Sequence, residues 1–423
     1  MSRPPLHREL AGAVADVGVL IPIAVALIVR NGLSPTAVLL PAGLLYVAVA
    51  RVYRLPVPVQ PLKALGAIAI AKGLGADEIA AASLLLGAVF LGLGATGLID
   101  VAARAFPRPL IRGVQLTVGL LFLKIAWGLL AHPPASFAEH AIDAAWAVPL
   151  GAAVVVVAIV LRDRPVTLVL VGVGAAVAVV ESSGPIGLGP SALSFPSLDG
   201  STFWAALTVL VLPQLPLSFA NSCLATSDAA RTYFGAAAER VRPGRLATTL
   251  GIANVLSGTI SGMPVCHGAG GLTAHHAFGA RTWRAPLAMG SALIVLAVGF
   301  GSGLAVVLTA FPLPILAGLL ATAGLFHIAL IRDVHRPGDI VLAVGVGLVG
   351  FQFNLLYGLL GGLAVVWLPW IVGRLRSGGP RPGGKSADGI AVEGIAVEGI
   401  AVEGIAGEGI AAEGIGQAPP RVS

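Results

Sequence analysis

Apolar residues gather along the chain in runs of roughly twenty, separated by short polar stretches that carry most of the arginines. A bilayer core of about 30 Å takes roughly twenty helical residues to cross, so runs of this length predict transmembrane helices. The full-length runs fall at 10–29, 34–50, 79–99, 109–130, 145–161, 166–181, 203–221, 245–260, 285–302, 312–331, 338–351 and 354–373. Two shorter apolar stretches, 61–72 and 267–279, follow proline-containing segments and bring the expected total to fourteen.

Arginine placement tests that count, because cytoplasmic loops collect basic residues. With the N-terminus in the cytoplasm and fourteen crossings, every arginine from Arg3 to Arg376 except Arg30 falls on the cytoplasmic side. Lys72 joins Arg30 on the opposite side, and Lys63 and Lys124 lie within spans. Omitting either short stretch as a crossing scrambles this alternation. Both ends of the chain are therefore expected on the cytoplasmic face of a cell membrane.

Composition agrees. Of 423 residues, 57% are hydrophobic and 11% are charged, where soluble domains carry about a quarter charged. The basic net charge of +6 does not point to nucleic acid, because the arginines sit in short clusters between apolar runs. Cys223 and Cys266 are far apart and indicate neither a disulfide framework nor a thiolate metal site. No cofactor or metal is expected. Neither a HExxH pair nor a nucleotide-binding G-x-x-x-x-G-K-[ST] loop appears, which argues against an enzyme and against ATP drive within this chain.

The fourteen segments divide seven and seven. Residues 1–9 form the N-terminal segment, 10–185 the first half, 186–201 a Gly/Pro/Ser-rich extracytoplasmic linker and 202–375 the second half. An odd number of crossings per half makes the halves inverted repeats. From 376 to 423 pentads such as Gly389-Ile390-Ala391-Val392-Glu393 recur, with a period that builds no helical or strand face, so this tail is expected to be disordered.

The chemistry concentrates at the two short segments. Pro56-Val57-Pro58-Val59-Gln60-Pro61-Leu62-Lys63 precedes the third, and Gly262-Met263-Pro264-Val265-Cys266-His267-Gly268 precedes the tenth. As a helix, 61–72 rises about 18 Å, little more than half the apolar thickness. Each half-helix is thus expected to start inside the membrane after an extended stretch. Two helix N-termini with free N–H donors then face one another, which is a ready anion site.

Lys63 either faces a bound anion or pairs with a carboxylate such as Asp16. His267 is a donor at the matching place or a structural histidine. Gly268 exposes backbone amides or lets helices pack closely, and Cys266 lies beside it. Gln60, Gln115, Gln214 and Asn221 supply neutral donors or serve as interhelical glue. Asp16 is an intramembrane carboxylate, a candidate for proton coupling or for a fixed salt bridge to Lys63. The histidine neighbours His275 and His276 fall about 100° apart on a helix and do not make a metal pair.

Pro58-Val59-Gln60-Pro61-Leu62-Lys63, Arg112-Gly113-Val114-Gln115-Leu116, Met263 through Leu272, Phe278-Gly279-Ala280-Arg281 and the opening Gly12-Ala13-Val14-Ala15-Asp16-Val17-Gly18 resemble the molybdate transporter family of plants, algae and bacteria. The resemblance covers about 10–375, and Ala15 stands where that family commonly has glycine. That family is related to the sulfate permease superfamily. The resemblance implies a core domain of segments one to four and eight to eleven moving against a gate domain formed by the rest. It implies secondary transport of molybdate, with sulfate second, in partnership with the bilayer and, as an open option, a second copy of the chain. A nucleobase-type symporter or an anion channel on the same architecture are the alternatives; the first would require an acidic residue in segment eight or ten.

Overall fold

The computed structural model describes residues 4–376 except 105, 183–186 and 354; the expected disordered tail lies outside the described residues. The chain is almost entirely helical. Its first half comprises α1 (Leu6–Ala13), α2 (Val17–Val29), α3 (Pro35–Val52), β1 (Gln60–Pro61), α4 (Lys63–Lys72), α5 (Ala76–Ala95), α6 (Leu98–Ala103), α7 (Arg108–Ala131), α8 (Ala144–Val160) and α9 (Val166–Glu181). The second half comprises α10 (Gly200–Ala205), α11 (Leu212–Leu217), α12 (Thr226–Phe234), α13 (Pro243–Thr259), β2 (Val265–Cys266), α14 (Ala269–Ala277), α15 (Arg284–Gly299), α16 (Leu304–Thr309), α17 (Leu313–Ile328), α18 (Pro337–Gln352) and α19 (Leu355–Arg376). Each expected apolar segment coincides with helix. Among the described residues, five helices are long and apolar enough to cross a membrane, or six when α1 and α2, bent by 44° at their break, count as one.

Local chemistry explains the boundaries. Pro35, Pro109, Pro243, Pro314 and Pro337 occupy first turns, where a missing N–H costs nothing. Ser34 accepts from Ala37 N at 3.5 Å to cap α3. Asp199 accepts from Thr202 N at 2.7 Å and from Ser201 Oγ at 2.8 Å, and these bonds hold its carboxyl down to about 2.

Two segments depart from expectation. The apolar run at 10–29 is not one helix; it breaks between Ala13 and Val17, and Asp16 sits in the break. The run at 203–221 continues as one apolar helical stretch, Gly200–Arg240, containing wide turns at Ala206–Val211 and Ser218–Ala225. The first part of its polar continuation, residues 221–230, is buried but for the half-buried Asp228: Ser227 Oγ donates to Val241 O at 2.7 Å, and Asp228 pairs with Arg112.

Packing sorts the helices into two groups. In one, α5 lies along α13 and α3 along α15; in the other, α7 packs on α17 and α18, α17 on α8, and α18 on α19. Exchanging α3 with α13, α5 with α15, α7 with α17 and α8 with α18 leaves these pairings unchanged, except that α8 packs far less on α9 than α18 does on α19.

The extended segments meet in a two-residue antiparallel ladder in which Gln60 faces Cys266 and Pro61 faces Val265. Gln60 and Cys266 each follow the Pro-Val shared by the two halves, so equivalent positions pair with one another. Extended backbone buried among helices must find partners for its polar groups. It does so. Leu62 N donates to Pro264 O at 3.0 Å. Asn254 of α13 receives Val265 N at 2.9 Å and returns Nδ2 to Val265 O at 2.8 Å. Pro56 O and Pro58 O face His275 Nδ1 at 2.9 Å and His267 Nδ1 at 3.0 Å.

Candidate functional site

Helix α4 begins at Lys63 and stops after ten residues because Gly73 adopts φ 63°, the left-handed conformation that favours glycine at a helix end. Asn31 Nδ2 covers the exposed carbonyls of Ala69 and Leu74 at 2.9 and 2.8 Å. At the other end Gln214 Oε1 accepts from Leu65 N at 2.9 Å, while no hydrogen bond occupies the amides of Lys63 or Ala64. Helix α14 starts after Gly268 and leaves the amides of Ala269, Gly270 and Gly271 equally free. Two helix N-termini, one from each half, thus present free donors on either side of the strand pair.

Lys63 is buried here. Its Nζ donates to Gln60 Oε1 at 2.8 Å and lies 5.4 Å from the centroid of the Phe122 ring. No described carboxylate lies within ion-pair distance of it. An ammonium has only donors, so Gln60 must turn its oxygen to Lys63 and its amide nitrogen to Asp16, where Nε2 lies 3.3 Å from Oδ2. The expected alternative of a direct Asp16–Lys63 bridge is therefore replaced by an amide relay. Gly268 makes room for it: a Cβ there would stand 2.0 Å from Gln60 Oε1 and 3.5 Å from Lys63 Nζ.

Asp16 Oδ1 lies 3.1 Å from His275 Nε2. Tyr46 is fully buried, and its hydroxyl has no hydrogen-bond partner. Nothing in the sequence pattern singled out His275. The usable signal was the two-residue spacing of Pro56 and Pro58, whose carbonyls face one side of an extended chain and are met by His267 and His275.

The other candidates are distributed as follows. Cys266 sits on β2 with Sγ 3.5 Å from Pro61 O. His267 is committed to the protein on both nitrogens, with Nε2 2.9 Å from Thr249 Oγ1. Gln214 caps α4 and donates to Ser218 Oγ at 3.0 Å. Asn221 is buried in the wide turn, and its Oδ1 has no partner. Gln115 is apart from Lys63: its Oε1 accepts from Arg112 at 2.7 Å. Arg112, fully buried, also binds Asp228 and holds Asp333 through Nε at 2.8 Å and a second nitrogen at 2.5 Å.

The fold has solved counterparts. The structure resembles the transmembrane domain of a cyanobacterial bicarbonate transporter, BicA, with TM-score 0.54 and 18% identity over 84% of this chain and 97% of that one. It also resembles murine Solute Carrier 26 family member A9, an anion transporter solved in the inward-facing state, with TM-score 0.58 and 14% identity over 86% of this chain and 68% of that one. At these identities the likeness shows the fold alone, that of a multi-pass helical membrane protein.

Residues 8–122 and 206–326 match the family described as molybdate transporter of MFS superfamily, and the chain belongs to it. Molybdate transporter 2 of Arabidopsis thaliana is 26% identical over 378 residues, 79% of this chain and 81% of that protein. Molybdate transporter 1 of Arabidopsis thaliana is 26% identical over 403 residues, covering 85% and 88%. Molybdate transporter 1 of Chlamydomonas reinhardtii is 26% identical over 445 residues, covering 79% and 86%.

Proposed function

We propose that this chain is a secondary active transporter of a tetrahedral oxyanion, molybdate before sulfate, working by alternating access with inward movement offset by a proton. The observation that carries this reading is Lys63. A buried ammonium with a single hydrogen bond, flanked by two helix N-termini and lacking a carboxylate partner, is complementary to a small anion with several acceptor oxygens. The three named relatives of two species are molybdate transporters, which supports molybdate as the cargo.

Fourteen crossings in two inverted repeats, both termini in the cytoplasm and residence in the cell membrane complete the proposal. The exchange-invariant helix pairings and the self-paired Gln60–Cys266 position support the repeat. The two packing groups support a core carrying the anion past a gate. Asp16, one amide away from Lys63, is the coupling carboxylate. The nucleobase reading loses ground because the two acids of the long helical stretch, Asp228 and Glu239, are occupied by Arg112 and Arg242.

Labelled molybdate uptake into proteoliposomes, challenged with excess sulfate or uracil, tests this. Saturable uptake, inhibited by sulfate, untouched by uracil and raised by an inward proton gradient, is expected. Absence of oxyanion uptake, or inhibition by uracil alone, overturns the proposal.

A further inference from the structure

The contacts of one histidine fix where a proton resides. Pro56 O can only accept, so His275 Nδ1, 2.9 Å away, carries its hydrogen. If His275 is neutral, Nε2 then presents a lone pair. That lone pair lies 3.1 Å from Asp16 Oδ1, and both residues are buried. Asp16 Oδ2 is already an acceptor from Gln60 Nε2, because Lys63 fixes the orientation of that amide. Two lone pairs facing each other at this separation repel without water to screen them. The geometry is satisfied when one proton lies between Oδ1 and Nε2, as carboxylic acid with imidazole or as carboxylate with imidazolium. Either way the pair is neutral overall. Removing that proton leaves a carboxylate facing a neutral ring, and the pair carries one negative charge.

Resting on the oxyanion reading above, we propose that Asp16 and His275 jointly form the proton-binding site of the transporter, and that their shared proton enters and leaves with the anion. Charge bookkeeping supplies the coupling. With the pair protonated, Lys63 leaves the local site at plus one; with it deprotonated, the site is neutral. An oxyanion therefore binds better to the protonated form, and by linkage a bound oxyanion holds the proton more tightly. Gln60 is the mechanical connection, since the amide that orients Lys63 also touches Asp16.

Other titratable groups face the pair from neighbouring elements. Glu9 of α1 accepts from the amides of Arg281 and Thr282 at 3.2 and 3.3 Å. Tyr46 of α3 is buried with its hydroxyl unpartnered, Lys63 of α4 donates to Gln60, and Cys266 on β2 lies against Pro61 O. Thr273 of α14 engages Tyr233 of α12 and His327 of α17 at 3.1 and 2.9 Å, one helical face away.

The test is calorimetric titration of molybdate into the purified full chain, in two buffers of different ionisation enthalpy, from about pH 5.5 to about pH 8.5. Wild type is expected to take up about one proton per anion at the alkaline end, with affinity falling about tenfold per pH unit there. Asp16→Asn imitates the loaded pair, because its amide nitrogen can donate to His275 Nε2 while its oxygen still accepts from Gln60. It is expected to bind molybdate with no proton uptake and a flat pH profile. His275→Gln, read the same way if Asp16→Asn does not fold, is expected to bind more weakly and equally without a slope. A flat profile in wild type, or an unchanged slope in the variant, overturns this proposal alone. Failure of wild type to bind molybdate or sulfate at any pH takes down the oxyanion reading and this proposal with it.

Discussion

Gln214 reaches from the second half of the chain to the first, and its Oε1 accepts a 2.9 Å hydrogen bond from the backbone amide of Leu65. This contact consumes one free donor of α4 and leaves the outer two, Lys63 N and Ala64 N, for a ligand. Gln214 thus shapes the proposed anion site without needing to touch the anion. Gln214→Leu orphans a buried N–H, which costs about 1–3 kcal/mol. A lower thermal midpoint in detergent is the expected result; an unchanged midpoint would show that the cap is dispensable.

Lys63→Met keeps the stem and removes the charge. A charge-assisted hydrogen bond contributes about 1.5–3 kcal/mol, so molybdate affinity should fall by roughly 10- to 150-fold. Equilibrium binding to purified protein checks this, and an affinity within a factor of two of wild type contradicts it.

Gly268→Ala introduces a Cβ whose ideal position is 2.0 Å from Gln60 Oε1. The displaced atom ends a flexible side chain, so the helices should assemble normally. The displacement nevertheless breaks Gln60 away from Lys63. Binding weaker by about tenfold, equivalent to about 1.4 kcal/mol, is expected alongside an unchanged circular dichroism spectrum. Loss of helicity instead would assign Gly268 to packing alone.

Arg112 ties α7 to Asp228 on α12 and to Asp333 beyond α17. Its removal leaves Asp228 without its counter-ion and Asp333 with Arg108 alone, 2.7 Å away. Both keep some solvent contact, with side-chain exposures of 20% and 30%, so Arg112→Ala should cost about 2–3 kcal/mol, less than for a fully buried pair. Arg112→Lys should not restore stability, because a point charge cannot fork between two acids. Thermal unfolding of both variants decides the matter.

The helical character of the apolar runs was legible because each is closed by proline, glycine or arginine, and all of those signals are local. The two short helices were legible for the same reason, from their length and the Pro-Val stretches before them. Long-range pairing was not. Nothing local to Gln115 announces that Arg112, three residues away, will hold it among acids from α12 and the end of α17. The break at Asp16 hides inside an apolar run, since its cause is a carboxylate turned towards Gln60 and His275 rather than a helix-breaking residue. His275 was read only against its neighbour His276; its partners lie 219 and 259 residues earlier in the chain. The polar stretch after Asn221 looked like a helix end because burial of Ser227 and Asp228 depends on partners outside the segment.

Crystals of the wild-type chain soaked with molybdate, with anomalous diffraction recorded at the molybdenum edge, locate the cargo without any assumption about mechanism. One anomalous peak is predicted between the N-termini of α4 and α14, beside Lys63 and Gly268. A peak elsewhere in the helical bundle, or none at saturating molybdate, contradicts the account.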